Sequence, residues 1–408
     1  MLTLILAFEI PVITFSNTNK MRTYSAIWLL IPFCLLAQIS EVPATPKGGS
    51  AGSAPLVDEV SLRLKAGQGD AASQYNLGRL LFDAEPSSRN VPEAIVWFKK
   101  AASQGHMEAQ HQLGFIYANG SGVPLDLKEA MIWYRLAAAQ GSALDQYIVG
   151  SFYQNGDGVD RDLKEALLWL RKSADQKFLP ALGGLGYLFY TQNDYAESFR
   201  YYRMQAEAGD DGAQWSVADM YRKGQGVAQS YGDALNWFRK SAEQGYAPAR
   251  LSLGHMYLKG DGVAKDEAEA AKWIRKAAET GYAAAQCDLG VIYHHGIGLT
   301  KNYAESSKWY ISSAEQGNTQ AQFNLGVLYY NGQGVPKDLV EAYSWWNVAS
   351  AAGHETARTS LEQAESRMTP TQVHQAQERT KVLMRLVSGE LKRLEEQRQA
   401  LERSRRGA

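Results

Sequence analysis

The stretch "GFIYANGSGVPLDLKEAMIWY" (residues 114–134) carries two glycines around a serine, Gly120-Ser121-Gly122. Glycine-rich turns can cradle phosphate, and Glu129 nearby could serve as an acid. Its context excludes that use. No Lys-Ser/Thr follows, as a phosphate loop of the G-x-x-x-x-G-K-[ST] type requires. The Gly-x-Gly element also recurs, at Gly156/Gly158, Gly224/Gly226, Gly260/Gly262, Gly296/Gly298 and Gly332/Gly334. A joint repeats along a chain, whereas a catalytic loop occurs once per site.

The rest of the stretch repeats with it. Segments such as "ASQG", "AAQG" and "AEQG" end at Gly105, Gly141 and Gly245, and again at Gly209, Gly281, Gly317 and Gly353. Gly69 and Lys177 occupy the same slot. Successive slots lie 36 residues apart except for one step of 32, from Lys177 to Gly209, in the unit that lacks Gly-x-Gly. A fixed period of this size marks a solenoid or array. Each unit reads as two helices. In the first, Ala109, Leu113, Ile116 and Tyr117 fall on one helical face. Beside that face Gly or Ala recurs, as at Gly78, Gly114, Gly150 and Ala218. A mid-helix glycine costs about 1 kcal/mol relative to alanine, so its recurrence predicts a close helix approach. The second helix opens on Asp126 with Glu129 three residues on, a pattern that returns as Asp162/Glu165, Asp266/Glu269 and Asp338/Glu341. This is a capping-box arrangement, with the N3 acid at the positive end of the helix dipole. Four residues after the acid stands an aromatic, Trp97, Trp133, Trp169, Tyr201, Trp237, Trp273, Trp309 and Trp345, with small residues one turn later. Large against small predicts that these aromatics fill the interface within each helix pair.

The combined pattern, A-x-x-x-L-G-x-x-Y-x-x-G-x-G-V-x-x-D-x-x-E-A-x-x-W, resembles the Sel1-like repeat, a relative of the tetratricopeptide repeat; "EQGNTQAQFNLGVLYYNGQGVPKDLVEAYSWW" (315–346) carries it throughout. The resemblance implies an all-α fold: an α/α solenoid superhelix of about eight helix-turn-helix repeats over 69–352, presenting a curved surface to other proteins. A cysteine-rich subset of that family has been associated with β-lactam binding. This chain lacks the cysteine pair per repeat, so that activity is not carried over.

The ends differ from the repeats. Residues 56–68 read as an N-terminal capping helix, and 353–408 as C-terminal capping helices with a basic tail holding ten Lys/Arg against five Asp/Glu from Arg367 onward. Met384, Val387, Leu391, Leu394 and Leu401 have 3-4-3 spacing, a candidate homodimer seam that Gly389 and Arg398 interrupt. Upstream, Arg22, the apolar run Ala26–Ala37 and the small residue Ala44 form the pattern of a signal peptide over 21–44. Residues 1–20 read as an upstream extension with the true start at Met21, and 45–55 as a flexible linker. The rival reading is an uncleaved membrane anchor. Cleavage would leave Cys287 as the sole cysteine, excluding an intrachain disulfide framework.

A formal net charge of −1 argues against a general nucleic-acid binder. The G-x-S-x-G string at 48–52 falls in the Gly/Ser linker and not at a strand-to-helix elbow, and no H-E-x-x-H occurs, so no catalytic residue, cofactor or metal is assigned. His294-His295 with Asp288 come nearest to a metal cluster, but adjacent helical residues diverge by about 100°. Candidate binding residues come from the first-helix slots six and ten after the repeat glycine, whose occupants vary: Arg79, His111, Phe115, Tyr147, Tyr187, Trp215, Asp219, Leu251, His255 and Phe323. Phe115, Tyr147, Tyr187, Trp215 and His255 are the partner-binding set, on the expectation that variation marks freedom from packing. The reading is a periplasmic or secreted scaffold with a protein partner still to be identified. The alternatives are a glycan-binding module or a hydrolase acting on cell-wall or β-lactam substrates. N-terminal sequencing of the mature protein should begin immediately after Ala44; recovery of residues 1–20 in it would refute the start at Met21.

Overall fold

The computed structural model describes residues 54–85 and 88–406. The signal-peptide segment 21–44 and the upstream extension lie outside the described residues. The chain opens with a single helix, α1 (Ala54–Gly67), so Ala54 and Pro55 belong to a helix rather than to the linker. Four helix pairs follow: α2 (Ala71–Asp83) with α3 (Val91–Ser103), α4 (Met107–Asn119) with α5 (Leu127–Ala139), α6 (Ala143–Asn155) with α7 (Leu163–Asp175), and α8 (Leu179–Thr191) with α9 (Tyr195–Glu207). Four more are α10 (Asp211–Lys223) with α11 (Tyr231–Glu243), α12 (Ala247–Lys259) with α13 (Glu267–Ala278), α14 (Ala283–His295) with α15 (Tyr303–Glu315), and α16 (Thr319–Asn331) with α17 (Leu339–Ala351). Two terminal helices close the array, α18 (Glu355–Glu365) and α19 (Pro370–Arg406). The fold is an all-α solenoid with no strand among the described residues. It comprises two compact units, one up to Leu188 and one from Phe189 to Leu401.

Each pair is set by the glycine slot of its first helix. A Cβ on Gly114 would lie 2.6 Å from the Tyr134 ring, and one on Gly78 2.7 Å from Phe98. Atoms do not approach that closely, so glycine is what lets α4 meet α5. This corrects the expectation for the tryptophans. The interface is filled by the residue after each of them, Phe98, Tyr134, Leu170, Phe238, Ile274 and Tyr310, all buried. Trp97, Trp133, Trp169, Trp237, Trp273 and Trp309 are only half-buried. Tyr201, in the shortened fourth repeat, and Trp345, in the last, do lie in the core.

The Gly-x-Gly joint does two jobs. Gly120 takes φ 63°, ends α4 in the left-handed region, and donates its N–H to the Ile116 carbonyl. The second glycine lies against the preceding pair, as Gly158 does against the Leu127 carbonyl. In the shortened repeat Asn193 supplies the positive φ, at 61°; asparagine tolerates that region better than most residues.

Buried glutamines link successive pairs, a feature the sequence reading did not identify. Gln110 on α4 donates to the Ala102 carbonyl on α3 at 3.1 Å and accepts from Gln140, at the end of α5, at 2.7 Å. Gln74, Gln146, Gln214 and Gln286 repeat both bonds. On α12 Arg250 substitutes, donating to the Ala242 and Lys276 carbonyls. On α16 the rung is incomplete. Gln322 donates to Ala314, but its Oε1 is buried without a partner. The donor position is Ala352.

The terminal helices dock through arginine. Arg63 of α1 reaches Glu93 of α3 at 2.6 Å, and Arg379 of α19 reaches Glu341 of α17 at 2.6 Å. On α19 the buried side chains are Ala376, Thr380 and Leu383, with Leu383 in the cluster that holds Trp345. Met384 of the candidate seam is exposed, Val387 packs partly against the same cluster, and the side chains of Leu391, Leu394 and Leu401 fall outside those described. No helix among the described residues is long and apolar enough to cross a membrane.

Ala352→Gln should supply the missing donor to Gln322. An added hydrogen bond to a buried, unpaired acceptor contributes about 1 kcal/mol. We expect slower amide exchange in α16 and α17 and a higher urea midpoint; no change in either would show that the orphan oxygen is satisfied otherwise.

Candidate interaction surface

The recurrent acids are consumed by the scaffold. Asp126 Oδ1 accepts from the Lys128 and Glu129 amides, both at 3.0 Å. Glu129 then accepts from Trp133 Nε1 at 2.9 Å, four residues on. Glu93–Trp97 and Glu165–Trp169 repeat the bond at 3.3 and 3.1 Å. A lysine one turn further lies on the tryptophan face, Lys100 at 4.0 Å from the Trp97 ring and Lys276 at 4.1 Å from Trp273. Cap, indole and ammonium thus form one run along the outside of a second helix.

Several of the varied first-helix slots pack on the following first helix or on the residue that caps it. Tyr75 stacks on His106 at 4.7 Å and Phe323 on His354 at 4.5 Å, while Tyr147 meets Phe178 at 5.8 Å. The Trp215 ring packs on Tyr246 at 6.4 Å, and its Nε1 donates to Ser252 Oγ at 3.1 Å. Variation along these slots therefore reflects pairwise matching between neighbours, where the sequence suggested freedom from packing. Two candidates are corrected outright: Phe115 and Tyr147 are buried, at 6% and 3% exposure, and offer no surface to a partner. Leu251 is buried too. Tyr187, Trp215 and His255 are half-buried. Arg79 pairs with Asp83, and Asp219 with Arg222 and Lys223.

Two histidines on this face bridge to the next first helix. His255 Nε2 lies 2.6 Å from Asp288 Oδ2, so Asp288 is engaged away from His294 and His295. Those two rings sit 4.6 Å apart. Burial, then the charges of His295 and Lys301, push His294 down to about 4. His111 Nδ1 lies 2.8 Å from Asp145 Oδ1, and Ser142 donates to the other oxygen of this buried carboxylate. Burial alone would depress His111. The Asp145 charge and hydrogen bond, with a smaller contribution from Glu108, outweigh it and hold the imidazole above its ordinary range. Cys287 is buried and unpaired, and burial pushes its thiol upward. Among the described residues no group of three or more His, Cys, Asp or Glu is placed to hold a metal ion.

A family model described as Sel1 repeat matches residues 71–106, 108–142, 143–178, 181–210, 212–246, 247–282, 283–318 and 319–354. Among solved structures, the chain is 34% identical to a Sel1 repeat protein from Oxalobacter formigenes, over 79% of this chain and 98% of that one, with a TM-score of 0.67. It is 30% identical to a protective antigen of uropathogenic Escherichia coli strains displaying an SLR fold, over 81% and 95%, with a TM-score of 0.31. An immunity protein from Pseudomonas aeruginosa is 21% identical over 51% and 81%, also with a TM-score of 0.31. No curated protein matches.

The His111–Asp145 pair carries a pH signature. A group whose folded-state pKa is raised stabilises fully below its unfolded value of 6.5, and that contribution is lost as pH rises through the raised one. Amide exchange in α4 and α6 should therefore accelerate as the pH rises above 6.5 more in the wild type than in His111→Gln. Equal acceleration in both would show that the pair contributes nothing.

Proposed function

The chain belongs to the Sel1 repeat family, and on that premise we propose that it works as a protein–protein interaction scaffold of the bacterial cell envelope or the secreted fraction. The observation that carries this reading is the first-helix face around α10 and α12. Trp215 and His255 stand there half-exposed, each fixed by a neighbour: Trp215 by Ser252, and His255 by Asp288. Aromatic anchors held before binding lose little entropy on contact, which is how binding hot spots are commonly built. Tyr187, on α8, is proposed as a further anchor. Placement outside the cytoplasm is supported by the charged start, apolar run and small residue of segment 21–44, taken as a signal peptide.

The test is capture from an envelope extract with the full chain and with Trp215→Ala and His255→Ala. We expect the same proteins to bind the wild type and to be depleted at least about tenfold by Trp215→Ala, the loss of roughly 1.4 kcal/mol. The thermal midpoint should fall little. Undiminished capture would overturn the assignment of this face, and a collapse of the midpoint would assign Trp215 to the core.

A further inference from the structure

The outer faces of the second helices differ between the two units. In α5, Ile132, Arg135 and Leu136 lie at i, i+3 and i+4, on one face. The equivalent places are Val96, Lys99 and Lys100 in α3, and Leu168, Arg171 and Lys172 in α7. Val96, Ile132, Leu136 and Leu168 are between 44% and 53% exposed. They recur at the same register on successive second helices, and Trp97 and Trp133 pack against one shared cluster beneath them. In the second unit the slot of Val96, Ile132 and Leu168 is taken by Arg200, Asn236, Lys272, Lys308 and Ser344. The scaffold therefore does not need aliphatic residues there, and half-exposed aliphatic side chains on three consecutive helices work against solubility.

The basic neighbours have a different distribution. Cations in the last turns of the second helices complement the helix dipole and run through both units. Arg203 in the second unit is ion-paired to Glu207, and Arg275 donates to Tyr293 Oη at 2.8 Å. Arg135 and Arg171 are exposed, and among the described residues neither makes an ion pair or hydrogen bond. Lys100 and Lys172 rest on Trp97 and Trp169, which fixes their charges beside the aliphatic row.

We propose that the outer face of α3, α5 and α7 is a docking surface for an acidic, amphipathic helical segment of a partner protein. Its carboxylates would engage Arg135 and Arg171, and its apolar stripe would cover Ile132, Leu136 and Leu168. Guanidinium forks match carboxylates in pairs, and an amphipathic helix laid on an apolar row between cations is an established recognition mode. The surface is separate from the Trp215/His255 face, so either can fail while the other stands.

The experiment uses the full chain and three synthetic helical peptides that share one leucine stripe and carry net acidic, neutral or basic polar faces. The acidic peptide should bind at least tenfold more tightly than the other two. Arg135→Glu with Arg171→Glu should abolish that preference, as should Ile132→Ser with Leu168→Ser. Arg239→Glu with Lys272→Glu, two exposed cations on second helices of the second unit, should not. All these positions are exposed, and if the serine pair fails to fold the charge-reversal pair still decides. Equal binding of the three peptides would overturn the proposal, as would insensitivity to the charge reversal. So would lack of acidic-peptide binding together with charge-reversal-sensitive binding to phosphatidylglycerol vesicles, which would assign the face to a lipid surface.

Discussion

The structure depends on a missing atom. At Gly114 and Gly78 the absence of a Cβ lets an aromatic ring of the second helix lie directly on the backbone of the first. That contact sets the spacing within a pair. The buried glutamine of α4 reaches across it to both α3 and the end of α5. A second missing Cβ, at the second glycine of the Gly-x-Gly joint, lets one pair meet the backbone of its predecessor. The fifth repeat shows the tolerance of the device: Ala218 stands in the slot, and Phe238 of its partner helix remains fully buried.

The polar residues explain why acid-rich repeats need not signal catalysis. A carboxylate that receives two cap amides, or one indole N–H, is held in place by the scaffold. Removing it would uncap a helix, at a cost of about 1 kcal/mol. Groups poised for chemistry have unmet capacity instead. One unmet capacity observed here is structural, the Gln322 oxygen facing a position where alanine stands in place of glutamine. The inventory of repeating acids, indoles and lysines is a supporting frame.

Periodic features were legible in the sequence because their causes are local. The period, the Asp126/Glu129 cap and the left-handed Gly120 each depend on residues within one turn or one joint. What was missed depends on contacts about thirty residues away. The half-buried state of Trp133 follows from which side of α5 meets Gly114, and Tyr134, one position on, proves to be the side that does. The burial of Phe115 and Tyr147 follows from the helices of neighbouring repeats, which a single-unit pattern does not reveal. The glutamine rungs were written in the sequence as "AQ" and "QG", but their bonds join residues thirty apart, so the meaning of either half depends on the other.

The ends of the array show how a repeating frame is terminated. An interior second helix has neighbours on both sides; a terminal one must acquire a substitute. Both capping helices use the same handle, an arginine to the N3 glutamate of the second helix they cover, Arg63 to Glu93 and Arg379 to Glu341. A guanidinium suits this place because it can bind a carboxylate already engaged as part of a cap. Glu93 illustrates it by accepting from Trp97 as well. At the C-terminal end α19 goes further: Leu383 joins the cluster around Trp345, and that tryptophan, half-exposed in most other repeats, becomes core. The outer faces of α3, α5 and α7 stay half-exposed, with aliphatic residues where Arg, Asn, Lys or Ser stands in the second unit.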